Sequence, residues 1–146
     1  MSADKSASVH WQGAGKEGKG EISTETGALN KAPYGFASRF GDDHQATNPE
    51  EILAAAHAAC FAMAFSFACA AQGIQTETVD TTAKVRLAAD GGGFKINRIA
   101  LTLNARVPGL SEEQFQQIAA EAKAGCPLSK ALASVPEITL TATLSA

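Results

Sequence analysis

The sequence predicts an α+β domain in which a β-sheet packs on helices, and three features carry that prediction. One is an apolar stretch, Ile52 to Gln72, with helix signals at both ends. Another is a set of β-rich runs on either side of it, two of them joined by Asp90-Gly91-Gly92-Gly93, a strong hairpin signal. The third is a second capped helix followed by a last alternating strand. Strands before and after a helix, then helix and strand again, fit the α+β class. With 146 residues, 45% of them hydrophobic, the chain is expected to form a single domain, 1–146, with a real core.

Taken in order, Val9-His10-Trp11 and Glu21 to Thr26 read as a hairpin with a loose Gly-rich turn, Gly13 to Gly20. Gly27 to Arg39, with Pro33 and Gly35, reads as a long connection. Thr47-Asn48-Pro49-Glu50-Glu51 then offers a side-chain N-cap, Pro at the first helical position and two carboxylates at the positive end of the helix dipole. Gly73 supplies the stop. Val79 to Leu87 and Phe94 to Val107 are the hairpin strands, with Ile99, Leu101 and Leu103 alternating against Thr102 and Asn104. Ser111-Glu112-Glu113-Gln114 is a capping box for a helix to about Ala124. Gly125 ends it, Pro127 opens a short helix through Ala133, and Glu137 to Leu144 alternates as the last strand.

Composition removes several function classes. A formal net charge of -3, with Lys and Arg scattered singly, gives no electrostatic footprint for nucleic acid. No apolar stretch follows Met1 to Lys5, so no secretory signal is expected and the chain is placed in the cytoplasm. There, paired thiols are more often catalytic or metal-binding than structural. A metal site is not expected, since no CxxC or closely spaced Cys/His set occurs.

The 21 residues from Ile52 to Gln72 are long enough to cross a bilayer, but ten are alanine, and His57, Ser66 and Gln72 interrupt the run without Lys or Arg at either end. A central soluble helix is the better reading. Apolar on all sides, it needs cover on all sides, which one small domain hardly provides; a second protomer is expected to help.

Two cysteines in apolar surroundings are the candidate chemistry: Cys60, in Ala58-Ala59-Cys60-Phe61, and Cys126, in Gly125-Cys126-Pro127. They read as a redox couple, in which one thiol reacts and the second resolves what the first becomes. Inert core thiols, a structural disulfide and part of a metal site are the alternatives. Burial among Ala and Phe disfavours a Cys60 thiolate, so a guanidinium is needed nearby, and Arg39 is the candidate. An Arg in apolar company needs a carboxylate partner. Around the helix, Glu50 falls about 80° from Cys60 while Glu51 falls about opposite, which favours Glu50. The ten positions that separate them span roughly 15 Å of helix axis, so both serve one site only through a second protomer or a long Arg. Equally, the two glutamates could simply start the helix and Arg39 be a surface charge.

His57, one turn before Cys60, could activate that thiol for acyl chemistry, although a histidine among alanines is more often a hydrogen-bonded core residue. Cys69 reads as a core filler. Cys126, between a helix-ending Gly125 and Pro127, has its sulfur at a helix start where negative charge is favoured.

The segment Thr47-Asn48-Pro49-Glu50-Glu51-Ile52-Leu53-Ala54-Ala55-Ala56-His57-Ala58-Ala59-Cys60-Phe61 resembles the signature of the OsmC family of peroxide reductases, and Lys123-Ala124-Gly125-Cys126-Pro127-Leu128-Ser129 resembles its second cysteine motif. His10-Trp11-Gln12-Gly13, Gly18-Lys19-Gly20, Ser23-Thr24-Glu25-Thr26-Gly27 and Pro33-Tyr34-Gly35-Phe36 resemble the OsmC branch rather than the related organic hydroperoxide resistance proteins. The resemblance implies a peroxidatic Cys60, a resolving Cys126 that closes an intramolecular disulfide, an Arg39 that lowers the thiol pKa and orients peroxide, and a Glu50 that holds the arginine. It also implies an intertwined homodimer, each subunit contributing an antiparallel sheet of about six strands around two central helices. The implied substrate is an organic hydroperoxide and the donor an external dithiol, such as a lipoylated protein, with no cofactor. A small-ligand binding or redox-sensing module is the alternative function, and a Cys60-His57 hydrolase a third.

Overall fold

A computed structural model describes residues 1–146. They form two compact units, Met1–Ile52 and Leu53–Ala146.

In the first unit, β1 (Ala7–Gln12), β2 (Lys19–Thr24) and β3 (Ala32–Gly35) make an antiparallel sheet in the order β1-β2-β3. The rings of Trp11 and Tyr34, 5.5 Å apart, lie over Gly18, just before β2, and Gly20 within it. A Cβ on Gly20 would stand 2.3 Å from the Tyr34 ring, and one on Gly18 2.4 Å from that of Trp11, so both rings sit where they do because these positions lack side chains. The long connection expected from Gly27 to Arg39 is instead partly structured: it contains β3 and a short helix, α1 (Phe36–Phe40). Pro33 argued against a strand, but β3 lies at the sheet edge, where the missing N–H leaves no ladder bond unmade. Ser38 fastens α1, its hydroxyl donating to the Thr47 carbonyl at 2.7 Å and accepting from the Gly35 N–H at 3.0 Å.

The long helix α2 (Pro49–Ala71) is capped by Asn48, whose Oδ1 accepts from the Glu51 N–H at 2.8 Å. Gly73, at φ 74, ends it, and the Ile74 N–H closes back on the Cys69 carbonyl at 3.0 Å. In the second unit β4 (Thr78–Asp90) pairs antiparallel with β5 (Gly93–Arg106) through a turn with Gly91 and Gly92 both at positive φ. Then come α3 (Glu112–Gly125), α4 (Pro127–Ala131) and β6 (Glu137–Ser145).

β6 runs parallel to β5, so this sheet is mixed, not wholly antiparallel as expected. A parallel partner cannot be reached by a tight turn, and α3 with α4 forms the crossover. The six strands divide into two three-stranded sheets, order β4-β5-β6 in the second.

Period-2 burial on β5 (Ile99, Leu101, Leu103, Ala105) meets the helical stripes Phe61, Phe65, Cys69 of α2 and Phe115, Ile118, Ala119, Ala122 of α3 in one core. Phe65 and Phe115 meet edge to face at 5.6 Å. α2 has the length and composition to cross a membrane, yet one of its faces belongs to this core. Its other face is uncovered in the single chain, with Met63 and Phe67 exposed by 60% and 67%.

Candidate active site

Each candidate pair of residues is built within its own unit. In the second, α2 carries Cys60 and the start of α4 carries Cys126, and their sulfurs lie 3.1 Å apart across 66 positions of sequence. That exceeds the length of an S–S bond by about 1 Å, so both are free thiols and disulfide closure requires little movement. Cys126 is fully buried and Cys60 only partly, which makes Cys60 the sulfur an incoming molecule reaches.

Their electrostatics differ. Burial raises the Cys60 thiol, and the neighbouring Cys126 adds to the rise; the Leu128 N–H offsets only part of it. Burial also pushes Cys126 up, but the Ser129 N–H, the Cys60 thiol, the Ser129 hydroxyl and the Leu128 N–H outweigh it and leave Cys126 below the ordinary thiol range. Within this unit, therefore, Cys126 ionises more readily than Cys60. The geometry at α4 explains it: Cys126 is the N-cap residue and Pro127 opens the helix, so the N–H groups of its first turn face back toward the sulfur.

In the first unit, Arg39 of α1 and Glu50 make a forked pair. Arg39 Nε donates to Glu50 Oε1 at 2.9 Å and Oε2 at 3.2 Å, and Nη2 donates to Oε1 at 2.7 Å. Glu50 is nearly buried, with 11% of its side chain exposed, whereas Arg39 keeps 39%. The guanidinium is thus oriented by its carboxylate and still open on one side. Glu51 takes no part: Thr47 donates to it at 2.8 Å.

His57 does not bond to Cys60. Its Nε2 lies 2.8 Å from Ser129 Oγ, and its Nδ1 is buried without a partner. Burial lowers its pKa and keeps the ring neutral. Cys69 fills the core. Ser129 is the residue that reading the sequence for chemistry passed over; its signal was its place three positions after a helix-capping Cys126, close enough for its N–H and hydroxyl to favour ionisation of that thiol. No three His, Cys, Asp or Glu side chains converge as a metal site would require.

What this arrangement can do is thiol–disulfide redox chemistry: one reachable sulfur, one buried partner in contact with it, and donors that ease ionisation of the partner. Similarity to known proteins points the same way. Residues 41–141 match the family described as OsmC-like protein. The chain is 47% identical to Peroxiredoxin OsmC of Escherichia coli (strain K12) over 96% of both chains. It is 33% identical to the organic hydroperoxide resistance protein OhrA of Bacillus subtilis (strain 168), over 86% of this chain and 87% of that one. Among solved structures, an organic hydroperoxide resistance protein OsmC from Legionella pneumophila superposes with a TM-score of 0.73 at 29% identity, covering 99% of this chain and 98% of that one. With a paired-thiol geometry, a matching α+β fold and near full-length identity in agreement, the chain belongs to the OsmC family.

Proposed function

We propose that this protein is a thiol-dependent peroxidase that reduces organic hydroperoxides in defence against oxidative stress, with Cys60 as the attacking sulfur, Cys126 as the resolving one, and Arg39 and Glu50 as its charge-stabilising pair. The observation that carries this reading is the 3.1 Å contact between a reachable Cys60 and a buried Cys126. The names of the Escherichia coli and Bacillus subtilis relatives support the substrate class.

The Cys60 thiolate attacks the hydroperoxide; the O–O bond breaks, an S–O bond forms, and the alkoxide leaves as an alcohol after taking a proton. Cys126 then attacks the sulfenic sulfur, closing the disulfide and releasing water. An external dithiol, such as a lipoyl group, reduces it by exchange and is itself oxidised to a disulfide.

The first step needs a cation beside Cys60, because burial there opposes the thiolate. Arg39 supplies it from a second protomer. Two observations support a homodimer: the uncovered Met63 and Phe67 face of α2, and the helical spacing of Glu50 from Cys60, roughly 15 Å along one axis. The 1–146 chain then acts as a single functional domain within the dimer. A cytoplasmic location completes the reading, since reductants there regenerate the thiols.

Mapping free thiols before and after one equivalent of cumene hydroperoxide tests it. A Cys60–Cys126 disulfide with Cys69 still free, reversed by dihydrolipoamide, is the expected outcome. Cys60→Ser abolishes turnover; Cys126→Ser permits one oxidation per chain without sustained cycling. Three thiols left reduced would instead point to a binding module.

A further inference from the structure

The peroxidase reading leaves one buried polar group without a task. His57 is completely enclosed, on the same helix as Cys60 and one turn before it, yet its ring is aimed at α4. Burying an imidazole costs free energy unless its nitrogens are paired, and here only Nε2 is, at 2.8 Å from Ser129 Oγ. A residue serving only to fill volume would be better as Leu or Met.

The direction of the hydrogen bond follows from the orphaned atom. If Nδ1 carried the ring proton, a buried N–H donor would be wasted; with the proton on Nε2, only a lone pair is unpaired, the lesser penalty. Nε2–H then donates to Ser129 Oγ, whose own hydrogen is free to point elsewhere. Ser129 lies three residues beyond Cys126, in the first turn of the helix that Cys126 caps, and its hydroxyl is one of the donors that favour ionisation of the Cys126 thiol.

We propose that His57 and Ser129 form a hydrogen-bonded chain, His57 Nε2–H to Ser129 Oγ–H to Cys126 Sγ, that readies the resolving cysteine for its attack. Ser129 touches the reacting sulfur and is a catalytic residue; His57 acts through Ser129 and is a positioning residue. The proposal rests on the two-cysteine reading above.

The step served is the second one. Cys60 sulfenic acid has lost the charge that a Cys60 thiolate would have carried, so the nucleophile must now be Cys126. Its S–H proton is lost, the S–O bond of the sulfenic acid breaks, the S–S bond forms, and hydroxide departs with that proton as water. Cys126 is oxidised and the sulfenic sulfur reduced, both to the disulfide level. A hydroxyl already polarised by a ring N–H is a stronger donor to the thiolate than one bonded to water. Holding Ser129 also fixes the rotamer from which it donates.

The test separates the two steps in pre-steady state, using one equivalent of cumene hydroperoxide, with dimedone trapping of sulfenic acid and mass spectrometry of the Cys60–Cys126 disulfide. Removing the hydroxyl in Ser129→Ala is expected to slow disulfide closure by roughly tenfold or more, a larger effect than on Cys60 oxidation. His57→Leu slows the same step, and His57→Gln, whose amide N–H can stand in for Nε2–H, restores part of the rate. Ser129→Thr, which keeps the hydroxyl, closes the disulfide faster than Ser129→Ala. With closure delayed, a second equivalent of peroxide converts more Cys60 to sulfinic acid in Ser129→Ala and His57→Leu. Wild-type closure rates in Ser129→Ala, or equal loss in His57→Gln and His57→Leu, overturn the chain. Absence of any Cys60–Cys126 disulfide in the wild type overturns the peroxidase reading instead.

Discussion

All thirteen buried apolar residues lie in the second unit, and the first unit buries none. The first unit encloses only Gly18, Gly20, Ser38 and Glu50, while Val9, Trp11, Phe36 and Phe40 are open to solvent. A three-stranded sheet with no hydrophobic face covered is marginal. Its order comes from local hydrogen bonds and from rings resting on glycine. The chemistry divides along the same line. Both thiols of the proposed couple stand in the packed unit, where burial resists a Cys60 thiolate, and the proposed arginine stands in the open unit, aimed by Glu50. Packing alone can bring two sulfurs together, but it disfavours charge on Cys60, so on the proposed reading the counter-charge comes from a surface that packing left free.

The strongest way to break this division is to remove the cation. Arg39→Met is expected to lower the second-order rate of Cys60 oxidation by about 10²–10³, the usual loss for one preorganised charge-stabilising donor, with Arg39→Lys recovering little because a point charge cannot fork onto Glu50. Stopped-flow reaction with cumene hydroperoxide measures it, and an unchanged rate would mean that the packed unit activates its own thiol. Mixing settles where the arginine acts. Alone, Cys60→Ser is expected to be inactive and Arg39→Met to keep only its residual rate. If the guanidinium works across a two-fold interface, co-refolded protein regains about a quarter of the wild-type sites. If it acts within one chain, nothing returns.

Next in size is the exposed face of α2. Met63→Glu with Phe67→Glu places charge where 60% and 67% of each side chain now meets solvent, so the isolated chain loses little. A dimer seated on that face would dissociate. Light scattering is expected to fall from about twice to once the 15.0 kDa chain mass, and peroxidase activity to fall with it, partly recovering at high protein concentration by mass action. A 15.0 kDa wild-type protein with full activity would sink the dimer.

Much of this was legible in the sequence because the signals were local. Asn48, Ser111 and Gly73 announced the helix ends, and Gly91 and Gly92 the hairpin, since each conformation is dictated within a few residues. β3 was missed because four residues containing Pro33 look like a loop until an edge position is known to accept them. The parallel β6 was missed because alternation gives a strand its faces and not its direction. At the site, projection around α2 selected Glu50 over Glu51, and the structure pairs Arg39 with Glu50. The Cys60 to Cys126 distance had no local signal at all, and neither did the contact between His57 and Ser129, 72 positions apart.

The smallest effect is a stability tilt confined to the packed unit. Burial holds the His57 pKa below its ordinary value, so in the native chain the ring resists a proton that the unfolded chain accepts. The unfolded state therefore binds more protons as pH falls below the free imidazole value of about 6.5, and stability present above it is lost progressively toward acid. Cys69 tilts the other way. Burial raises its thiol, so the stability it contributes is full below the ordinary thiol range and is lost as pH rises past it, where only the unfolded chain ionises. Urea midpoints at pH 5.5, 7 and 9 should thus fall on both sides of neutrality. His57→Gln should flatten the acid limb alone, and Cys69→Ala should weaken the alkaline limb alone, to which the buried Cys60 thiol also contributes. If both variants kept both limbs, the tilt would have to arise from groups other than His57 and Cys69.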